Sequence, residues 1–307
     1  MQADEVQSVL HELPTPMAVV CHDAGATNLI VSWLRSRSGV VRASMQGPAA
    51  PIWAKILPGA ENLRLEEAME GAAMLISGTG WASDVEHRAR KLARIRGIRS
   101  VAVLDHWVNY RERFVREGEL VLPDELWVVD DDACTEARAC FPQLPIRQLP
   151  NLYLERLVKE VATFHPRPAR QPPQNVLYVL EPVRQHWGRD DRPGEFQALE
   201  FFLGHLPKIG VAADTRIRLR PHPSDPTGKY DDWPGRYSEI DMSIDSDSLL
   251  AEQIAWADWV VGLESFALVI ALRAKRITIS TLPPWAPHCR LPQQNLLHLR
   301  DLVAPSA

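Results

Sequence analysis

Short apolar runs alternate with longer amphipathic stretches along the first half of the chain. Met17–Cys21 and residues 73–77, 100–104 and 125–129 read as nearly unbroken apolar runs, whereas residues 26–35, 84–96 and 132–140 space their apolar positions as helices do. Strands that are apolar throughout are buried on both faces, and their alternation with helices predicts a parallel sheet covered on each side. The rhythm breaks at residues 151–174. A helix predicted over Leu152–Thr163 runs into His165-Pro-Arg-Pro-Ala-Arg-Gln-Pro-Pro, where repeated proline fixes φ and removes backbone donors. The alternation then resumes, with strands predicted at residues 176–180 and 216–219, Trp259–Gly262 and Ile277–Ser280. Helices are predicted at residues 195–206 and 248–256 and at Phe266–Arg273. The expectation is an α/β protein of two Rossmann-like domains facing across a cleft: residues 1–164, a Pro-rich linker at 165–174, and residues 175–307.

Composition narrows the function. With 307 residues, 46% hydrophobic, 24% charged and a formal net charge of −5, the chain can bury two cores and carries no overall basicity, so nucleic acid is not an expected partner. No apolar stretch approaches the ~20 residues of a membrane span. The acidic, polar stretch Gln2 to Val6 lacks the basic-then-apolar order of a secretory signal, so a cytoplasmic location is expected. The cysteines Cys21, Cys134, Cys140 and Cys289 lack the close pairing of a zinc site and are read as reduced thiols. Asp130-Asp-Asp132 follows a strand and reads as a helix start, where the dipole favours carboxylates; neither a metal nor another cofactor is expected. Two basic runs, residues 88–99 and 216–220, leave a peripheral membrane contact open, although the first reads more simply as the solvated face of a helix.

Ligands of open parallel sheets bind at the carboxyl ends of the strands, so motifs there weigh most. Cys21-His-Asp-Ala-Gly-Ala-Thr-Asn28 follows the first strand; His22 and Asp23 are candidate catalytic acid–base groups and Gly25 permits a close approach. The plainer alternative is that Asp23 caps the helix. Thr79, in Ser77-Gly-Thr-Gly-Trp-Ala-Ser-Asp84, is a further substrate-side candidate, with Ser83 or Asp84 as the helix cap. Asp105, His106 and Asn109 open a segment of polar and aromatic groups, with Tyr110 and Arg111, suited to binding a sugar or carboxylate. In the second half, Arg218-Leu-Arg-Pro-His-Pro-Ser-Asp225 and Val261-Gly-Leu-Glu-Ser-Phe-Ala-Leu268 would converge Arg220, His222 and the amides after Ser265 on a phosphate.

Those two motifs resemble the carboxyl-terminal half of GT-B glycosyltransferases of bacterial surface-polysaccharide synthesis, above all sialyltransferases with a His-Pro motif and a later serine motif. The resemblance implies a nucleotide-phosphate site at Arg220, His222, Glu264 and Ser265, and transfer of a sugar, with a CMP-sugar favoured as donor, to a glycan, lipid-linked or protein acceptor without a metal. The acidic-acidic-glycine segment holding the base in those enzymes has no clear counterpart; His22-Asp-Ala-Gly25 is the nearest. Nucleotide-sugar epimerases and hydrolases share the architecture and stay open as alternatives, as does a non-catalytic nucleotide-sugar binding protein.

Overall fold

The computed structural model describes Leu10 and residues 12–35, 39–182 and 187–304; the stretch Gln2 to Val6 lies outside them. Two compact units divide the chain, Met1–Tyr153 and Leu154–Ala307. In the first, strands β1 (Met17–Cys21), β2 (Val41–Met45), β3 (Met74–Ser77) and β4 (Arg99–Val103) are followed by a small hairpin of β5 (Val115–Arg116) and β6 (Glu119–Leu120), then by β7 (Glu125–Val128) and β8 (Ile146–Gln148). Apart from the hairpin, they form one parallel sheet in the order β2-β1-β3-β4-β7-β8. Its helices are α1 (Ala24–Leu34), α2 (Ala49–Ile56), α3 (Leu65–Ala68), α4 (Val85–Arg96) and α5 (Asp131–Cys140).

The unbroken apolar strand is explained by where its side chains go. Met17, Val19 and Cys21 of β1 join the cluster that holds Leu29, Ile30 and Trp33 of α1 and Trp53 of α2. Ala18 and Val20, pointing the other way, pack with Leu65 of α3 and Val85, Ala89 and Ala93 of α4. The sheet is therefore the middle layer of three.

The second unit holds α6 (Leu152–Thr163) from Leu154 onward, then β9 (Asn175–Val179), α7 (Gly194–Leu203), β10 (Arg216–Arg220), α8 (Trp233–Arg236) and β11 (Met242–Ile244). It continues through α9 (Leu250–Trp256), β12 (Trp259–Gly262), α10 (Phe266–Arg273), β13 (Ile277–Ser280), β14 (Leu297–His298) and α11 (Leu299–Leu302). Its parallel sheet runs β11-β10-β9-β12-β13-β14. Val176 and Tyr178 of β9 pack with Leu199 and Phe202 of α7 and with Trp233 in a core of this unit's own.

The expected boundary near residue 165 and the observed division at Tyr153 differ for a physical reason. The Pro-rich segment belongs to no strand or helix, yet it is clamped to the second unit: Asp258 accepts hydrogen bonds from the backbone N–H groups of Arg170, Gln174 and Asn175, at 3.2, 2.8 and 3.2 Å. It is a docked strap.

Within each sheet the first strand has its later neighbours on opposite sides. β1 lies between β2 and β3, and β9 between β10 and β12, so each sheet has a switch point at the carboxyl end of its first strand, where flanking crossovers diverge and leave a crevice. Among the described residues no helix is long and apolar enough to cross a membrane.

Candidate active site

In the first unit the crevice opens between the loops after β1 and β3. Asp23 occupies the N-cap position of α1, but its carboxylate makes no capping bond. Instead Oδ1 lies 2.7 Å from His22 Nδ1. A carboxylate can only accept, so the proton sits on Nδ1 and Nε2 is left as the basic nitrogen. The side chains are 16% and 30% exposed, enough to be reached by a ligand while held in place.

Glycines make the room. A Cβ on Gly80 would stand 2.5 Å from Asp23 Oδ2, one on Gly47 2.5 Å from His22 Nε2, and one on Gly25 1.8 Å from Asp105 Oδ2. Gly47 also holds a φ of +48°, a backbone that side chains resist. Gly25, expected to let a ligand approach, thus gives its space to the Asp105 carboxylate.

Beneath the pair sits Glu86, on the first turn of α4 and 1% exposed. Its Oε1 accepts the backbone N–H of His22 at 2.9 Å, while Oε2 is buried without a hydrogen-bond partner among the described residues. Burial, and secondly the nearby Asp23, push its pKa up. Close by, Arg90 is 1% exposed, although the basic run 88–99 reads as a solvated face. Its guanidinium donates to Ser77 Oγ, the carbonyl of Gly78 and the carbonyl of Val121, so one arginine of that run braces the strand ends while Arg88 and Lys91 stay exposed.

The remaining first-unit candidates divide. Asp105 is held by Arg113 Nη1 at 3.0 Å, and the same nitrogen reaches Thr79 Oγ1 at 3.3 Å. Thr79 is 1% exposed and donates to the carbonyl of Val103, so it braces β3 against β4 and does not face a ligand. His106 Nδ1 accepts the N–H of Trp107. Asn109 is exposed at a φ of +59°, and its carbonyl receives the N–H of Arg113. Tyr110, read as a hydrogen-bonding group for a sugar, is 2% exposed and belongs to the core. Exposed Trp81, by contrast, stands beside the crevice under the Arg113 guanidinium, 5.7 Å from the ring centre. Ser83 Oγ accepts the N–H of Val85, and Asp84 holds the N-cap position without a side-chain bond. Asp130 does start a helix, capping Ala133 N and taking Trp107 Nε1; among the described residues no group of three His, Cys, Asp or Glu is arranged for a metal. All four cysteines are free.

In the second unit, Arg220 and Gly262 are both in register with Val179, on opposite sides of β9. Two strand spacings separate them, about 9.5 Å. The groups do not converge on a single atom. Arg220 Nη1 donates to the carbonyl of Ser248 and to Gln253 Oε1, both at 2.7 Å, which turns it toward β11 and α9. His222 is exposed, with Nδ1 against Ser224 Oγ at 2.8 Å, beside a hollow of about 300 Å³ also lined by Arg220, Lys229 and Ser246. Its pKa is lowered, by partial burial first and by Lys229 second. The turn is rigid because Asp225 takes the N–H of His222 and pairs with Lys229, which also pairs with Glu195.

Across β9, Ser265 is the N-cap of α10 and accepts Ala267 N at 3.2 Å. Glu264 pairs with Arg290, while its backbone N–H lies 3.2 Å from both oxygens of Glu181. Burial raises the Glu181 pKa to about 8. Sequence reasoning missed Glu86, Arg113, Glu181 and Lys229, and gave Asp225 no role beyond closing the Arg218–Asp225 motif. Of the four, Glu181 carried a signal, standing directly after an apolar run at a switch point.

No family model matches the chain, and no curated protein matches it in sequence. Solved structures do. A UDP-GlcNAc 2-epimerase from Neisseria meningitidis, bound to UDP-GlcNAc, matches with a TM-score of 0.59 over 88% of this chain and 83% of its own, at 8% identity. The UDP-N-acetylglucosamine 2-epimerase of Rickettsia bellii matches with a TM-score of 0.55 over 86% and 78%, at 10% identity. The chain has the GT-B type of fold, two Rossmann-like halves. At such identities the likeness is one of fold alone.

Proposed function

We propose that this chain is an enzyme acting on a nucleotide-activated sugar, with a base in the first unit and the nucleotide held at the strand ends of the second. The observation that carries the reading is the His22–Asp23 pair at a switch point, with glycines keeping space beside both groups. Asp23 fixes the tautomer and stabilises the imidazolium, so Nε2 can take a proton from a hydroxyl as it attacks the sugar carbon. His22 is then the base and Asp23 its orienting partner. The departing nucleotide phosphate gains charge as the bond breaks, and the N-terminus of α10 with the His222 turn offers donors for it without a metal. This is glycosyl transfer, with a carbohydrate-bearing acceptor and a CMP-sugar as the first donor to test.

Epimerisation is the second reading, and Glu86 favours it. Inverting a carbon centre requires a proton to be removed and another returned, and a carboxyl whose pKa is raised beside the base can carry the second one.

The deciding experiment incubates the protein with CMP-, UDP- and GDP-sugars in D2O, with and without acceptor glycans, and follows the sugar by NMR. Transfer consumes donor only when acceptor is present. Epimerisation puts solvent deuterium into the sugar without acceptor. Thermal shifts with the free nucleotides run alongside, since a ligand that binds the native state raises the melting temperature. His22→Ala is expected to abolish turnover and keep the nucleotide shift, whereas His222→Ala and Ser265→Ala weaken the shift. No shift with any nucleotide would overturn the reading.

A further inference from the structure

The second sheet has another hollow, at the end away from the strand-end site. It encloses about 460 Å³ where β9, β10, β12 and β13 begin, and His165, Arg167, Arg170, Arg216, Trp256 and Arg276 line it. Two of these arginines come from the Pro-rich strap, which Asp258 clamps through three backbone bonds and which Trp259 Nε1 holds by the carbonyl of Arg170 at 3.0 Å. The strap backbone is thus held in place before a ligand arrives, and only the exposed side chains remain to be ordered.

Its charge is unbalanced in a chain whose net charge is negative. Elsewhere Arg99 and Arg147 share Glu125, Arg113 meets Asp105, Arg218 meets Asp245 and Arg290 meets Glu264. Around this hollow four arginines face two carboxylates, Glu252 and Asp258, and Asp258 already accepts three backbone donors. Helix ends account for one arginine. Helices α9 and α10 end at this edge, where free carbonyls carry partial negative charge, and Arg276 answers them by donating to the carbonyls of Ala257 and Ala274. Arg170 donates to Gln174 Oε1. Arg167 and Arg216 have no such use: neither is in an ion pair or a side-chain hydrogen bond among the described residues, and Arg216 only lies 5.9 Å from the Trp256 ring.

We propose that this hollow binds the phosphate group of a second ligand, a soluble phosphorylated sugar or the phosphate of a lipid headgroup. Two guanidinium forks from separate elements, with Arg170 and His165 lining the same hollow, suit the several oxygens of a phosphate better than one point charge would. The site stands independently of the enzymatic reading, because it shares no residue with the strand-end motifs beyond the basic run beginning at Arg216.

The test titrates the full chain with inorganic phosphate and with glycerol 3-phosphate by calorimetry. In parallel it measures sedimentation with vesicles of phosphatidylcholine alone or with added phosphatidylglycerol. Each is repeated with the double variant Arg167→Gln and Arg216→Gln, with Arg216→Glu, and with His222→Ala. Both arginines are exposed, so the variants should keep the native melting temperature. Binding of either soluble phosphate that weakens about tenfold or more in the double variant and survives His222→Ala supports the site with a soluble ligand. Vesicle binding that needs phosphatidylglycerol and is lost in the double variant supports it with a lipid headgroup. Binding indifferent to the arginine variants, or no binding to either probe, overturns it.

Discussion

A methyl group added at Gly80 would meet the Asp23 carboxylate at 2.5 Å, whereas one added at Gly97 meets nothing within 4 Å. The pair separates a site effect from a backbone effect. Gly97 ends α4 at a φ of +66°, so Gly97→Ala should cost about 1 kcal/mol in urea unfolding and leave turnover intact. Gly80→Ala should cost about 1 to 3 kcal/mol by overpacking and also push Asp23 off His22, with turnover falling about 100-fold or more. Equal turnover in the two variants would remove the His22–Asp23 pair from the chemistry. Glu181 gives a second residue-scale expectation, with its sign fixed by the raised pKa. A carboxyl whose folded pKa lies near 8 favours folding while protonated and loses that contribution as pH climbs from its unfolded value toward 8. Glu181→Gln keeps an acceptor for Glu264 N and never ionises. Its stability relative to the native chain should therefore be unchanged near pH 4 and greater by about 1 to 3 kcal/mol at pH 8, read from paired urea titrations. At this scale His22 and Asp23 were legible because they directly follow an apolar run. Glu86 was not, since its neighbours Glu-His-Arg-Ala-Arg-Lys spell a solvated helix face and only the packing turns Glu86, His87 and Arg90 inward.

Within the two large sheets, the strands that sequence periodicity missed share a position. Strands β2, β8, β11 and β14 are the edges of the two sheets, whereas the inner strands β1, β3, β4, β7, β9, β10, β12 and β13 were all anticipated to within a residue or two. An inner strand is apolar on both faces and announces itself. An edge strand is half open to water and carries polar side chains, such as Arg42 in β2 and Arg147 in β8, which also discourage pairing with another chain. The helix starts were readable for a related reason, that free N–H groups select particular side chains. Asp130 is the strongest case. It caps α5 through Ala133 N at 2.7 Å and holds Trp107 Nε1 at about 3 Å. Asp130→Ala should cost about 1 to 2 kcal/mol for the cap, and more because Trp107 is left with a buried donor unpaired. Asp130→Asn, which still offers an oxygen, should recover most of the loss. A deficit in the asparagine variant as large as that in alanine would mean the charge, and not the bond, stabilises this corner.

For the molecule as a whole, alternating runs were enough to give two Rossmann-like halves in a chain that shares 8 to 10% identity with solved structures of the same fold. The division point was less legible, because proline marks a segment without regular structure and says nothing of the sheet to which that segment is strapped. The consequence is thermodynamic. Among the described residues each unit has a sheet of its own, no strand is shared, and the two large cores, around Trp33 and Trp127 in one unit and around Tyr178 and Phe202 in the other, draw on separate residues. Units built this way can open separately, so a cavity cut in one core need not loosen the other. Leu199 is fully buried in the second core, and Leu199→Ala should cost about 2 to 5 kcal/mol there. Hydrogen exchange followed by mass spectrometry on the variant should show protection lost across β9, β10, β12 and β13 and retained in β1, β3 and β4. If protection falls equally in both sheets, the chain unfolds as a single cooperative body. The stability of His22, the proposed base, then depends on the core beneath the proposed nucleotide site of the second unit.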